Sequence, residues 1–221
     1  MWTLDLQTWA WAQQHPTGEQ LQGISRFQAV ADGTRILIHT HRTEDHILAL
    51  HTDSSPPRLE KVPVNGPGPA SRGLHSVVKL GRALYLYGGA PQKGPMMDDL
   101  WKLELDSMQW QQLQPAGVTP HARCSPAAAA VGKYVLYFGG AFYGASGGLE
   151  MLGNVHLYDT ESNSWVKDVQ LAPGATAPAA RNAAVMVPLP SRGYGRPQLL
   201  LSGGWRAFVE TYNDSYLVEV E

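Results

Sequence analysis

One cysteine, Cys124, stands among 221 residues, so no disulfide can form within the chain. That excludes a disulfide-stapled secreted scaffold and fits a reducing compartment, the cytosol with the nucleus as the alternative. Charge is sparse as well: charged residues make up 16% of the chain and the formal net charge is −2. Such a balance offers no basic stripe for nucleic acid or an anionic membrane. No apolar run approaches the roughly 20 residues that cross a bilayer, and Met1-Trp2-Thr3-Leu4-Asp5-Leu6 lacks the basic start of a secretory signal. Membrane insertion and nucleic-acid binding are therefore not expected. Helical periodicity is weak throughout. There is no Walker loop, GxSxG elbow or HExxH. The reading is a protein without catalytic residues, cofactor or resident metal.

What the chain has is a repeat. An arginine precedes a small apolar strand, a second strand ends in Gly-Gly, an acidic or amide residue opens a third, and a tryptophan follows. One copy runs from Arg72 through Gly88-Gly89 and Asp98-Asp99-Leu100-Trp101 to Trp110. The next runs from Arg123 through Gly139-Gly140 and Asn154 to Trp165. Arginine, Gly-Gly and tryptophan recur at shifts of 51, 51 and 55 residues. Four short strands per period of that length signal a β-propeller blade. Pro126-Ala127-Ala128-Ala129-Ala130-Val131 has helical propensity, but its place in the repeat assigns it to an innermost strand.

With the strands of a blade lettered a to d from the axis outward, residues 1–14 supply strands c and d of a partial blade. Full blades cover 24–62, 70–115 and 121–169, and 179–221 is a partial blade ending in strand c. The expected fold is all-β, one propeller domain over 1–221 with four to five blades visible. Either the N-terminal d strand closes a small ring, or the chain is an arc of a larger propeller. Closure would supply strand c twice, which favours the arc.

The double glycine permits a bend with positive φ and close aromatic packing. Trp101, Trp110 and Trp165 are expected to fill wedges between blades, each N–H finding a carbonyl. Arg26, Arg72, Arg123 and Arg181 are read just ahead of successive a strands, so they ring the axis on one face. Two readings stand for them: a cationic mouth for an acidic peptide or chain-end carboxylate, or bonds to loop carbonyls that fix each blade entrance. Phe142, Tyr143, Trp205 and Phe208, in two enlarged b–c loops, are candidate partner anchors or loop plugs. His39 and His41 share a strand face in this reading, with His46 and His51 nearby, but the spacing matches no recognised metal site.

These residues resemble the Kelch repeat family. Gly88-Gly89 with Trp101 and Trp110, and Gly139-Gly140 with Tyr158 and Trp165, match its pattern well. Gly203-Gly204 with Tyr216 matches in part, and the first unit departs, with His39-Thr40-His41 at the Gly-Gly position and Leu59 near the tryptophan slot. The resemblance implies a noncatalytic interaction module or adaptor, similar to Kelch-only proteins of the Rab-effector type, binding a protein or peptide partner through one propeller face. It also extends to Arg26, Arg72, Arg123 and Arg181 the contacts that Kelch-like ubiquitin-ligase adaptors make with acidic motifs. Some Kelch propellers are metal-dependent oxidases or specifier proteins, the alternative here, and a scaffold fragment without a site is a third reading. Partner, pathway and oligomeric state are left open.

Overall fold

The computed structural model describes residues 1–20, 23–145, 147–166, 169, 174–190 and 196–220. Parts of the third sequence unit (146, 167 and 168) and of the fourth (191–195 and 221), and residues 170–173 between them, lie outside this set. Among the described residues every regular element is a β-strand, and no helix is long and apolar enough to cross a membrane.

Four sheets form successive blades of a β-propeller. Blade I holds Gln28–Asp32, Arg35–His39, His46–His51 and Arg58–Pro63. Blade II holds Ser76–Leu80, Ala83–Tyr87, Leu100–Glu104 and Gln109–Leu113. Blade III holds Ala127–Val131, Tyr134–Phe138, Val155–Asp159 and Ser164–Trp165. Among the described residues blade IV holds strands a to c: Val185–Pro188, Gln198–Ser202 and Ser215–Glu219. All within-blade pairing is antiparallel. The alanine run is indeed strand a of blade III, where small side chains let the innermost strands approach the axis.

Alternation of side chains gives each blade two apolar faces, and three seams bury them. Leu37, Ile47 and Ala49 of blade I meet Leu84, Leu86, Trp101, Leu103 and Trp110 of blade II. Tyr85, Tyr87 and Leu100 of blade II meet Val135, Tyr137, Tyr158 and Trp165 of blade III. Leu136 and Phe138 of blade III meet Met186, Leu199 and Leu201 of blade IV. Trp110 and Trp165 fill the wedges as expected, but among the described residues their indole N–H groups have no hydrogen-bond partner. Their ring packing in the seams is what the structure shows, and the expected carbonyl bond is not made by either. Only Trp101 bonds, to the Asp99 carboxylate at 2.6 Å.

The seams run I–II–III–IV, and the other face of blade IV, with Val185, Val187 and Leu217, is exposed. Residues 1–14 form a separate hairpin, Trp2–Leu4 paired with Trp11–Gln13. After it, Thr17–Gly18 runs parallel to Arg58–Leu59 on the outer strand of blade I. Asn65 bridges Gln109, and Ala116 bridges Ser164, in the same parallel sense. The hairpin thus enters blade I in the manner that blade I enters II and II enters III.

Candidate functional site

The upper rim is built where chain enters strand a and leaves strand b. Arg72, Arg123 and Arg181 are buried there. In each, Nε donates to a carbonyl two residues earlier (Ala70, His121, Ala179), each at 2.9 Å. Nη1 donates to the carbonyl of the first glycine of its own blade: Gly88 at 3.2 Å, Gly139 at 2.9 Å and Gly203 at 3.0 Å. The guanidinium then grips the residue that opens strand c. Arg72 takes both oxygens of Asp99, Arg181 both oxygens of Asp214, and Arg123 the Asn154 amide oxygen at 2.8 Å. Burial pushes the Asp99 carboxyl up, but its bonds to Arg72 and Trp101 outweigh that and hold it below the ordinary value.

These clasps also tie blades together. Gly89 N donates to the Arg123 carbonyl at 2.8 Å and Gly140 N to the Arg181 carbonyl at 2.9 Å. Gly88 has φ 66°, and a Cβ there would stand 2.7 Å from the Arg123 oxygen. Both facts require glycine. The three guanidiniums therefore serve the structural alternative stated for them, and none presents a free fork at the surface.

Arg26 differs. It shares φ of 50–58° with Leu74, Ser125 and Ala183. A backbone ladder joins the four: Leu74 N to Arg26 O at 3.2 Å, Ser125 N to Leu74 O at 2.6 Å, Ala183 N to Ser125 O at 3.0 Å. Arg26 is thus the counterpart of Ser125, and the clasp position of blade I is Ile24, a residue packed on the apolar cluster of Ile38, Leu48 and Leu50. The spacing carried the signal, because Arg72 and Arg123 precede the first glycine by 16 residues and Ile24, not Arg26, stands at that interval before Thr40. Arg26 is exposed with Phe27 at the mouth of an axial cavity of about 790 Å³ between the a strands.

The two enlarged b–c loops are small hairpins: Ala141–Tyr143 with Leu149–Met151, and Trp205–Arg206 with Glu210–Thr211. Cys124 bridges Ala141 and Asn182 bridges Trp205, which fixes each hairpin to its blade entrance. Phe142 lies on His121, ring centroids 4.2 Å apart, and Trp205 meets Phe208 at 5.9 Å. Tyr143, Phe208 and Val209 stand exposed. Between the hairpins is a cleft of about 510 Å³. Leu149, Met151, Ala180 and Val209 line it, with Glu150 and Arg206 at its edge. Tyr212, also in its wall, carries the Arg181 guanidinium 3.9 Å above its ring. Arg206, Glu150 and Val209 escaped the sequence reading because nothing in the repeat marks them.

The histidines of the first unit do not converge. His39 ends its strand and His41 lies in the following turn, so they share no strand face, contrary to expectation. His39 Nδ1 is 2.9 Å from His75 Nε2, His46 meets Asp45, and His51 meets Glu60. Burial, with Arg72 nearby, pulls His39 down to about 3 and His75 well below the ordinary value. Among the described residues no three His, Cys, Asp or Glu side chains come together. Cys124 is buried, and burial raises its thiol, the reverse of a reactive cysteine.

A model of the KLHDC2/KLHL20/DRC7 Kelch-repeats domain matches residues 39–221. The chain belongs to the Kelch-repeat family. It is similar to Acyl-CoA-binding domain-containing protein 4 of Arabidopsis thaliana, 26% identical over 198 residues, 83% of this chain and 29% of the relative. It is also similar to Kelch domain-containing protein 2 of Bos taurus, 26% identical over 130 residues, 58% of this chain and 30% of the relative. The chain thus spans less than a third of these relatives. Among solved structures it superposes on YjhT with a TM-score of 0.74 at 15% identity, covering 99% of this chain and 72% of the other. That likeness speaks for the propeller fold alone.

Proposed function

We propose that this Kelch propeller is a noncatalytic interaction module whose partner is a protein segment docking on the upper rim between blades III and IV. The observation that carries the reading is the pairing of exposed aromatic residues with a cleft on a rigid base. Tyr143 and Phe208 stand exposed on hairpins bonded to the blade entrances, and Leu149, Met151 and Val209 line the cleft between those hairpins. Exposed aromatics with an arginine are the composition of energetic anchors at interfaces, and binding loops on a rigid scaffold are where such function resides. Kelch domains generally serve as protein-binding units, which agrees. An acidic residue in the segment fits Arg206 at the cleft edge and Arg26 at the axial mouth, while Glu150 takes a basic one.

The test is selection from a displayed library of short random peptides against the purified chain. Enriched peptides are expected to combine an apolar anchor with an acidic residue. Phe208→Ala should then weaken them about 10-fold or more, and Arg206→Glu should reverse the charge preference, with thermal stability unchanged for both. No enrichment over the Phe208→Ala/Arg206→Glu double variant would refute the proposal.

A further inference from the structure

The blade III hairpin turns an edge of its backbone outward. Bonds between its two strands fall on every second residue: Leu152 N donates to Gly140 O at 2.8 Å, and Gly144 N to Gly148 O at 2.9 Å. Ala141, opposite Met151, points its own backbone groups the other way. Its N–H donates to Cys124 O at 2.9 Å, and its carbonyl accepts from Cys124 N at 2.8 Å. Antiparallel pairs alternate in this manner, so Met151 and Leu149 direct N–H and C=O away from the hairpin. Among the described residues no strand pairs with that edge. The edge is nevertheless held in place, because the Leu152 carbonyl accepts from Arg181 N at 3.1 Å at the entrance to blade IV.

The side chains along this edge alternate. Leu149 and Met151, both half-buried, share a face with their partners Tyr143 and Ala141. Glu150, exposed, lies on the opposite face with Phe142. All three edge residues line the cleft, and Arg206 and Val209 of the blade IV hairpin line it too. Its volume of about 510 Å³ falls within the roughly 300–1,000 Å³ of ligand sites. Outward backbone groups, an apolar pair two residues apart and charges of both signs thus meet in one groove.

We infer that the segment docked in this cleft is extended and adds to Leu149–Met151 as a third strand of the hairpin. The inference rests on the cleft reading above and names the form its partner takes. Main-chain bonds to Leu149 and Met151 supply affinity, and alternate side chains supply selectivity. Cross-strand neighbours then define a triplet. Apolar residues stand beside Leu149 and Met151, extending the face of Tyr143, and a basic residue stands between them beside Glu150. An acidic residue beyond the triplet meets Arg206 at the cleft edge. A helical segment does not fit this edge, because its own N–H and C=O groups are bonded internally.

The experiment takes the tightest peptide recovered in the selection above and places one N-methyl group on each backbone amide in turn. Affinity for the wild-type chain is read by fluorescence polarisation. Two positions, two residues apart, should each lose about 10-fold or more, with the amide between them much less affected, since only alternate N–H groups face the edge. Glu150→Lys should exchange the preferred central residue from basic to acidic, by about 3-fold or more in affinity. If that variant does not fold, replacing the central basic residue of the peptide by glutamate should weaken binding to wild type by a similar factor. Binding that shows no alternation would overturn the strand and leave the cleft reading standing. Alternation without any response to charge at Glu150 or its peptide neighbour would put the strand on another edge and overturn the inference as well. No enriched peptide at all would sink the cleft reading, and this inference with it.

Discussion

Arg123 sits at the same node as Arg72 and Arg181 but has no carboxylate; its partners are the Asn154 amide oxygen and His156 Nε2 at 3.2 Å. Burial pulls the Arg123 pKa down, and burial together with Arg123 lowers His156 to about 4. A buried cation whose bonds all come from neutral groups gains when a charged acceptor replaces one of them. Asn154→Asp should therefore stabilise the fold by about 1 kcal/mol, read by denaturant unfolding. Asp99→Ala should do the opposite, at about 3–5 kcal/mol, because it strands Arg72 without its charge partner. The histidines set a pH dependence. His39, His75 and His156 are held neutral in the fold, with values lowered to about 3 for His39 and about 4 for His156. The unfolded chain takes up protons from about pH 6.5 downward. Stability should thus be full above that point, fall as pH drops toward the folded values, and level below them. The limiting slope is about 1.4 kcal/mol per pH unit for each histidine. Melting temperature between pH 6.5 and 5, above the carboxylate range, checks it; His39→Phe, which places there the residue that Phe138 supplies in blade III, should make the profile shallower.

At the scale of the element, much of the architecture was legible because each blade repeats one chemical pattern. Strands b ending in Gly-Gly, the alanine strand a and the wedge tryptophans are all where spacing put them. The arginine clasp was half legible. Its residues were visible, but their acceptors, the glycine carbonyl and the residue opening strand c, lie 16 to 33 residues away and meet only when the blade folds. Arg26 was misplaced because blade I lacks Gly-Gly, so the nearest arginine stood in for a register only the backbone shows. The cleft was not legible at all, since it forms between hairpins of different blades. The wedge makes a paired prediction. Trp110→Ala, at 3% exposure, should cost about 3–5 kcal/mol, whereas Trp11→Ala, its exposed counterpart on the N-terminal hairpin, should change the stability of the chain by less than about 0.5 kcal/mol. Urea unfolding of both variants decides it.

For the whole molecule, seam count sets local stability. Blades II and III are packed on both faces, whereas blade IV has one filled seam, and among the described residues the outer edge of its strand Ser215–Glu219 carries no further strand. Local opening follows buried apolar contact. Backbone amides of Leu199–Leu201 should therefore exchange with solvent deuterium faster than those of Leu84–Leu86 in the equivalent strand. Equal protection in the two strands would mean blade IV has a cover other than blade III.

The clasp has a temporal side. Gly89 is bonded by a carbonyl of Arg123, which belongs to the blade after it. On the ribosome, blade II is synthesised whole before the residue that seals its rim has left the exit tunnel. Blades II and III therefore wait for the first residues of their successors. The order of synthesis, from N-terminus to C-terminus, is also the order in which the arc locks.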